Sequence, residues 1–254
     1  MRKHLFLTLF MVVSMMASAQ FVGSTGSTNK SKSNVNTDNW YSFRLSYNPM
    51  TLDAGGDLED YFFDDDYEDL TKFKGFSGEF KAAFNVVQGM PLFLEAGLGF
   101  LYSSSKYEDS GTEEWYEEYY GYVEYDWEEN IRIKFMSLYV PLNIGYKLSL
   151  NESISVMPYL GLKARYNLNA KILEEYTVDD ETEDDEIDLF DTKEIKDNWG
   201  EDPFKAKRFQ LGWQIGADVE ISNFILGVSY GSDFGEIMKD CKFKTTQLSL
   251  GLKF

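Results

Sequence analysis

The side chains best equipped for chemistry are carboxylates, and they come in two arrangements. Runs such as Asp64-Asp65-Asp66 and Asp184-Asp185-Glu186 offer the hard oxygen donors that Ca2+ and Mg2+ prefer. Neither run has the ligand spacing of an EF-hand loop. Other carboxylates stand singly among cations within alternating segments: Arg44, Glu79, Lys81, Glu95, Lys163, Arg165, Arg208, Asp218, Glu220 and Asp233. Carboxylates in such company can serve as acids or bases, but no nucleophile, histidine or metal-ligand set accompanies them. The one histidine is His4 and the one cysteine is Cys241, so a disulfide framework within one chain and a multi-thiolate zinc site are excluded. Cys241 is left either free or paired with another chain.

His4 belongs to an export signal. Arg2, Lys3 and His4 form a basic start, Leu5 to Met16 an apolar stretch, and Ala17-Ser18-Ala19 a small-residue cleavage site. The apolar stretch is too short for a retained helix, which needs about 20 residues to cross a bilayer. Residues 1–19 therefore read as a signal peptide, and its removal leaves no histidine. Hydrolases with a histidine base and histidine-ligated metal enzymes fall away together, so no catalytic residue and no enzymatic activity are expected. Residues 20–39, rich in Ser, Thr, Asn and Gly, read as a flexible polar periplasmic tail.

With 43 acidic against 24 basic residues the formal charge is −19, which disfavours nucleic acid as a partner. An apolar fraction of 43% and an aromatic fraction of 17% fit a folded chain.

The elements that would position these residues are strands. From Trp40 onward the sequence alternates with a period of two, as in Tyr41-Ser42-Phe43-Arg44-Leu45-Ser46-Tyr47. The same contrast runs through Phe76 to Val86, Leu92 to Tyr102, Leu138 to Leu148, Ile154 to Leu168, Phe209 to Ile221, Phe224 to Asp233 and Lys244 to Phe254. A soluble sandwich also alternates, but its strands average about 5–6 residues, whereas most of these reach the 9–11 or so that a tilted transmembrane strand needs. The connections alternate too. Gln88 to Pro91, Asn151 to Ser153 and Ser222-Asn223 are short, whereas residues 48–74, 106–130, 169–205 and 235–242 are longer. Short turns at one end and long loops at the other are the layout of an outer-membrane barrel. Tyr41, Tyr146, Phe224 and Phe254 would form one aromatic girdle, and Tyr47, Tyr102, Tyr166 and Tyr230 the other. The expected fold is all-β: an eight-stranded antiparallel up-and-down transmembrane barrel over residues 40–254, with long extracellular loops and both termini periplasmic.

Three segments carry a family resemblance: Leu138-Tyr139-Val140-Pro141-Leu142-Asn143-Ile144-Gly145-Tyr146, Leu211 to Glu220, and Leu248-Ser249-Leu250-Gly251-Leu252-Lys253-Phe254. They resemble the PorT-like outer-membrane beta-barrel family of Bacteroidota, similar in architecture to the small OmpA and OmpX barrels. The resemblance implies an eight-stranded barrel in the outer membrane and does not imply the secretion role of PorT itself. A terminal Phe in such a strand resembles the signal read by the barrel assembly machinery, which makes Phe254 the expected assembly signal. Outer-membrane lipid and that machinery are the expected partners, together with an unidentified extracellular ligand.

The charge divides by location. The loops at 48–74, 106–130 and 169–205 hold 34 of the 43 acids and 7 of the 24 bases, a net −27. The rest of the chain, with 9 acids against 17 bases, is slightly basic. This acidic cap reads as a solvated surface, as a place where Ca2+ or Mg2+ is loosely held, or as a ligand-capturing surface. No other cofactor is expected. Trp115, Tyr116, Tyr119, Tyr120, Tyr122, Tyr125 and Trp127 either contact a ligand or extend the strands above the membrane, and the partial alternation of residues 116–127 favours extension. An eight-stranded lumen is about wide enough to be filled by side chains, so the balanced inward charges read as an ion-pair plug. The function expected from these features is a non-enzymatic surface-interaction or adhesion barrel, with a PorT-like secretion or assembly accessory and a narrow passive channel as the alternatives.

Overall fold

The computed structural model describes residues 38–55, 68–117, 121–179, 181–193, 195 and 205–254. The expected signal peptide, most of the expected polar tail and Asp64-Asp65-Asp66 lie outside these described residues. Ten strands form one antiparallel sheet: β1 (Trp40–Ala54), β2 (Lys72–Asn85), β3 (Leu92–Glu117), β4 (Gly121–Tyr146), β5 (Leu148–Ser149), β6 (Ile154–Val178), β7 (Glu181–Asp188), β8 (Phe209–Ile221), β9 (Phe224–Asp233) and β10 (Cys241–Lys253). Eight of them close a ring in the order β1, β2, β3, β4, β6, β8, β9, β10, with β10 pairing back onto β1. Tyr41 and Phe254 exchange both backbone hydrogen bonds at 3.0 Å, which seals the first strand to the last. The two extra strands are a two-residue pairing in the β4–β6 turn and β7, which folds back along the upper part of β6.

Polarity is inside out over the lower part of the ring. Phe43, Leu45, Phe80, Leu98, Ile144, Leu160 and Leu250 are exposed, whereas Ser42, Arg44, Glu79, Lys81, Glu95 and Asp218 are buried. On β4 the outward residues Met136, Leu138, Val140, Leu142, Ile144 and Tyr146 make a continuous apolar stripe. At ~3.3 Å per residue and a tilt of ~40°, that stripe rises about 25 Å, the height of the apolar band on outer-membrane barrels. Among the described residues no helix is long and apolar enough to cross a membrane; the crossing is made by strands, whose backbone groups all find partners once the ring closes.

Higher up, the same alternation reverses its chemistry. On β2 the inward positions change from Glu79 and Ser77 to Gly75 and Phe73, while the outward ones change from Phe80 and Phe76 to Lys74 and Lys72. On β10 Gln247 gives way to Phe243 inside, and Leu248 to Lys244 outside. The inward residues of this upper part, among them Leu52, Phe73, Ile133, Phe135, Ile172 and Phe243, join Leu70, Leu189, Ile195, Ile237 and Met238 in one buried apolar core. Phe243 meets Phe73 and Phe135 edge-on, with ring centroids 5.2 and 5.4 Å apart. A register shift between Met136 and Ser137 of β4 faces Asn167 and Asn169 of β6, so that Asn167 and Ala170 both point inward across one extra residue.

The long-loop expectation needs correction. Residues 106–130, expected as a loop, are strand on both sides of residues 118–120, and β3 and β4 each run 26 residues. β1 continues to Ala54, β6 continues to Val178, and β7 occupies Glu181–Asp188 of the third expected loop. Charged residues take many of the outward positions there, so the segments read as charge runs although their backbones pair in register.

Candidate functional site

The lumen is stacked in three layers. Its floor is a small apolar cluster of Trp40, Ala83, Phe93, Met157 and Ile225. Above it lies a polar network drawn from most of the ring, and above that the apolar core.

Arg44 of β1 is the centre of the network. Its Nη1 donates to Asp218 Oδ2 of β8 at 2.6 Å, its Nη2 to Glu95 Oε1 of β3 at 3.2 Å, and its Nε to Ser42 Oγ. Glu95 Oε2 accepts from Asn143 Nδ2, and Asn143 Oδ1 in turn accepts from Gln214 Nε2 at 2.6 Å. On β2 Lys81 pairs with Glu79 at 3.1 Å, and Glu79 Oε2 accepts from the Tyr139 hydroxyl at 3.1 Å. Lys163 donates to Gln247 Oε1 at 3.1 Å and lies over the Tyr139 ring, while Gln247 reaches Ser46. Arg165 pairs with Asp233 and rests its guanidinium on Phe243, which joins the polar layer to the apolar core above. Near the floor, Glu220 Oε2 accepts from Lys147 at 2.5 Å and from Lys253 at 2.7 Å. A fixed charge in this low-dielectric interior is costly unless it is paired or hydrogen-bonded, which is the physical reason for such dense pairing.

Two tyrosines complete the filling. Tyr139 lies over Gly99, its register partner on β3, and Tyr159 over Gly216, its partner on β8. A Cβ at Gly99 would fall 2.3 Å from the Tyr139 ring, and one at Gly216 2.6 Å from the Tyr159 ring, so glycine is required at both places. The cavity beside Lys163, Arg165 and Gln214 measures about 20 Å³, room for a single water.

Nine of the ten lumen residues expected from the sequence fall in or beside this network. Arg208 does not: it donates to the Leu168 carbonyl and stacks on Phe190 at 3.9 Å, at the upper rim. Its position in the alternation points inward, but the long guanidinium arm finds an aromatic face and a carbonyl outside the polar layer. Lys147, Lys253, Asn143, Gln247, Tyr139 and Tyr159 were missed. Lys147 and Lys253 stand at inward parity, and their signal lay in Glu220, which needs a cation nearby.

Among the described residues, most acids of the expected cap lie on the upper parts of β3, β4 and β6 and on β7. Asp184, Asp185 and Glu186 lie in β7, where successive side chains point to opposite faces, so the three do not converge on one point. Glu186 pairs with Lys171, and Asp185 accepts from the Glu186 backbone N–H at 2.8 Å. Among the described residues no three His, Cys, Asp or Glu side chains come together in a set able to hold a metal ion. The rings of Tyr116 and Tyr122 meet across the β3–β4 hairpin at 5.3 Å, and the Tyr125 hydroxyl donates to Glu113. Cys241 is fully buried in the apolar core, where burial first, and then Asp240, Glu236 and Asp53, push its thiol up to about 12. At the opposite end Phe254 is exposed, its ring 6.0 Å from Phe80.

Several solved barrels are similar in structure. Ail, the attachment invasion locus protein of Yersinia pestis solved with the heparin analogue sucrose octasulfate, is 14% identical with a TM-score of 0.36, over 85% of this chain and 99% of Ail. Neisserial surface protein A is 12% identical with a TM-score of 0.37, over 84% of this chain and 97% of that one. The N-terminal beta-barrel domain of Pseudomonas aeruginosa OprF is 10% identical with a TM-score of 0.24, over 84% and 97%. No curated protein matches the chain in sequence. Residues 41–235, the span that holds nearly all of the ring except β10, match the family model of the outer membrane protein beta-barrel domain, and the chain belongs to that family of outer-membrane proteins.

Proposed function

We propose that this outer-membrane barrel is a non-enzymatic surface-interaction protein whose acidic upper sheet binds cationic partners. The observation that carries this reading is the length of β3 and β4. A membrane crossing uses about 9–11 residues, and each of these strands has 26. The surplus builds a four-stranded sheet of β3, β4, β6 and β7 above the apolar belt. Glu113, Glu114, Glu124, Asp126, Glu181, Glu183, Asp184 and Asp185 are exposed on it, with Tyr122 at 75% exposure near its tip. Such a field attracts cationic surfaces and repels polyanions, with a reach set by the Debye length. Ca2+ or Mg2+ gathered loosely by the same acids is part of this reading. Within the family we place the chain among PorT-like barrels, on its segments Leu138 to Tyr146, Leu211 to Glu220 and Leu248 to Phe254, without PorT's secretion role.

The filled lumen, with room for one water beside Lys163, favours this reading over a passive channel. The test removes residues 108–128 and 174–186 from the full chain and measures binding of poly-L-lysine to the protein in neutral lipid vesicles. The intact protein should bind with an on-rate that falls steeply with salt, and the trimmed one should lose that binding while keeping its gel shift on boiling. Equal binding by both forms overturns the proposal. If trimming leaves secretion intact in cells but a whole-gene deletion abolishes it, the accessory reading replaces this one.

A further inference from the structure

The outer surface of β2, β3, β4 and β6 is ordered in rows across neighbouring strands, and the register defines them. Phe76, Tyr102 and Met136 are register partners on the outward face. The next row up is Lys74, Ser104, Lys134 and Lys171, and the one above it holds Lys106, Arg132 and Leu173. Above these come Glu108, Asn130 and Glu175, where the acidic cap begins. Across β1, Lys72 of β2 and Lys244 of β10 both pair with Thr51. Cations are thus confined to a narrow band between an apolar row and an acidic field.

The height of this band has a physical meaning. Two residues along a strand tilted by ~40° rise about 5 Å. A bilayer's headgroup layer extends roughly 5–8 Å beyond the hydrocarbon on each side. On each strand the outward residue two places beyond the last apolar one, Lys74 after Phe76, Ser104 after Tyr102 and Lys134 after Met136, is therefore within one headgroup layer of that strand's apolar stripe. Most of the band's lysines already hold a carboxylate: Lys72 pairs with Glu68 and Asp69, Lys106 with Glu108, Lys171 with Glu186 and Lys244 with Asp53. Lys74, Lys134 and Arg132 are different. Among the described residues no carboxylate pairs with any of the three, although the chain carries 43 acids and the cap stands directly above. Lys74 and Lys134 flank Ser104 on adjoining strands, and Arg132 sits two residues above Lys134 on the same face.

We infer that Lys74, Arg132 and Lys134 form a binding site for the phosphate of an anionic lipid headgroup in the outer leaflet. Arg132 supplies a planar fork that grips phosphate by two hydrogen bonds, and the two lysines supply point charges on either side of the Ser104 hydroxyl. The acyl chains of that lipid lie along Phe76, Tyr102 and the apolar stripe below. A lipid is the source because the site opens sideways onto the belt, while the acidic rows above oppose the approach of a free anion from water.

The test uses the full chain refolded into phosphatidylcholine vesicles with trace spin-labelled lipids. The spectra report the association of spin-labelled phosphatidic acid relative to phosphatidylcholine. The wild type should prefer the anionic label by about fivefold per engaged cation, the equivalent of about 1 kcal/mol. The K74Q/R132Q/K134Q variant should lose most of that preference, and K74R/K134R should keep it. A gel shift on boiling verifies folding for each. Inorganic phosphate should reduce the preference no more than sodium chloride of equal ionic strength. A wild type without preference, or a triple glutamine variant that retains it, overturns the inference. Selective competition by inorganic phosphate overturns the lipid as the source.

Discussion

The lower and upper halves of the lumen use the same strands and the same alternation, yet are built from opposite chemistry. Below, Arg44, Glu95 and Asp218 are buried and Leu45, Leu98 and Leu250 face outward. Above, Phe73, Phe135 and Phe243 are buried and Lys72, Lys134 and Lys244 face outward. The backbone has little part in this difference. What changes is the surrounding solvent, since hydrocarbon drives polar groups inward while water drives apolar ones inward. The two halves therefore have different sources of stability. The lower one depends on the ion pairs and hydrogen bonds of its buried charges, and the upper one on packing.

The comparison is most exposed to breakage at Arg44. An Arg44→Met substitution leaves Glu95 and Asp218 buried without their shared cation, a loss of roughly 3–5 kcal/mol. Urea unfolding in vesicles should show a much lower midpoint, and an unchanged midpoint would mean that the lower lumen does not depend on pairing. The upper counterpart is Phe243→Ala, which removes the ring that Phe73 and Phe135 both meet edge-on. Its cost of about 3–5 kcal/mol should fall locally. Hydrogen exchange should quicken in β7 and the upper part of β6, while the gel shift of the ring persists. A global loss of the ring would show that the two halves unfold as one.

A smaller effect sharpens the boundary itself. Leu250→Arg places a charge on the lipid face and should cost about 2–4 kcal/mol. Thr177→Arg, on the upper part of β6, should stay within about 0.5 kcal/mol. Similar costs at both sites would place Thr177 in hydrocarbon and refute the boundary. Smaller still is a pH effect in the upper sheet. Burial, with Asp185 and Glu129 nearby, raises the Glu174 carboxyl above its usual 4.5. A raised folded value means that the native state binds the proton more tightly. The stabilisation is complete below 4.5 and is lost as pH climbs through the raised value. Protection factors of the β6–β7 amides should therefore rise on acidification towards pH 4.5, and Glu174→Gln should flatten that response. Cys241 offers a final contrast. With its thiol pushed up to about 12 and fully buried, it should resist alkylation in the folded protein and react quickly after unfolding.

Much of the lower half was legible in the residue order. Strong period-two contrast in segments such as Tyr41 to Tyr47 and Phe209 to Ile221 places apolar residues on one face, and the short connections at one end identify that face as lipid-facing. The upper half was not legible for a related reason. Its alternation of Phe73 with Lys72 and Lys74 is that of a soluble protein, and its outward residues are so densely acidic that they read as loop. The extra residue in β6 between Asn167 and Ala170 also shifts the parity, so a strict period of two misplaces the rest of that strand.

By itself the sequence determined the strand count of the ring, the membrane-facing stripe and the division of charge. These depend on neighbouring residues and on composition, and they hold whatever the pairing. Only the tertiary structure decided which cation meets which carboxylate. Arg44 lies 51 residues from Glu95 and 174 from Asp218, and nothing local sets such distances. Closure of β10 onto β1 fixes the register of every strand around the ring. That register brings the lumen charges together, sends Arg208 to the rim, and sets Lys74, Lys134 and Arg132 side by side on the outward face of neighbouring strands.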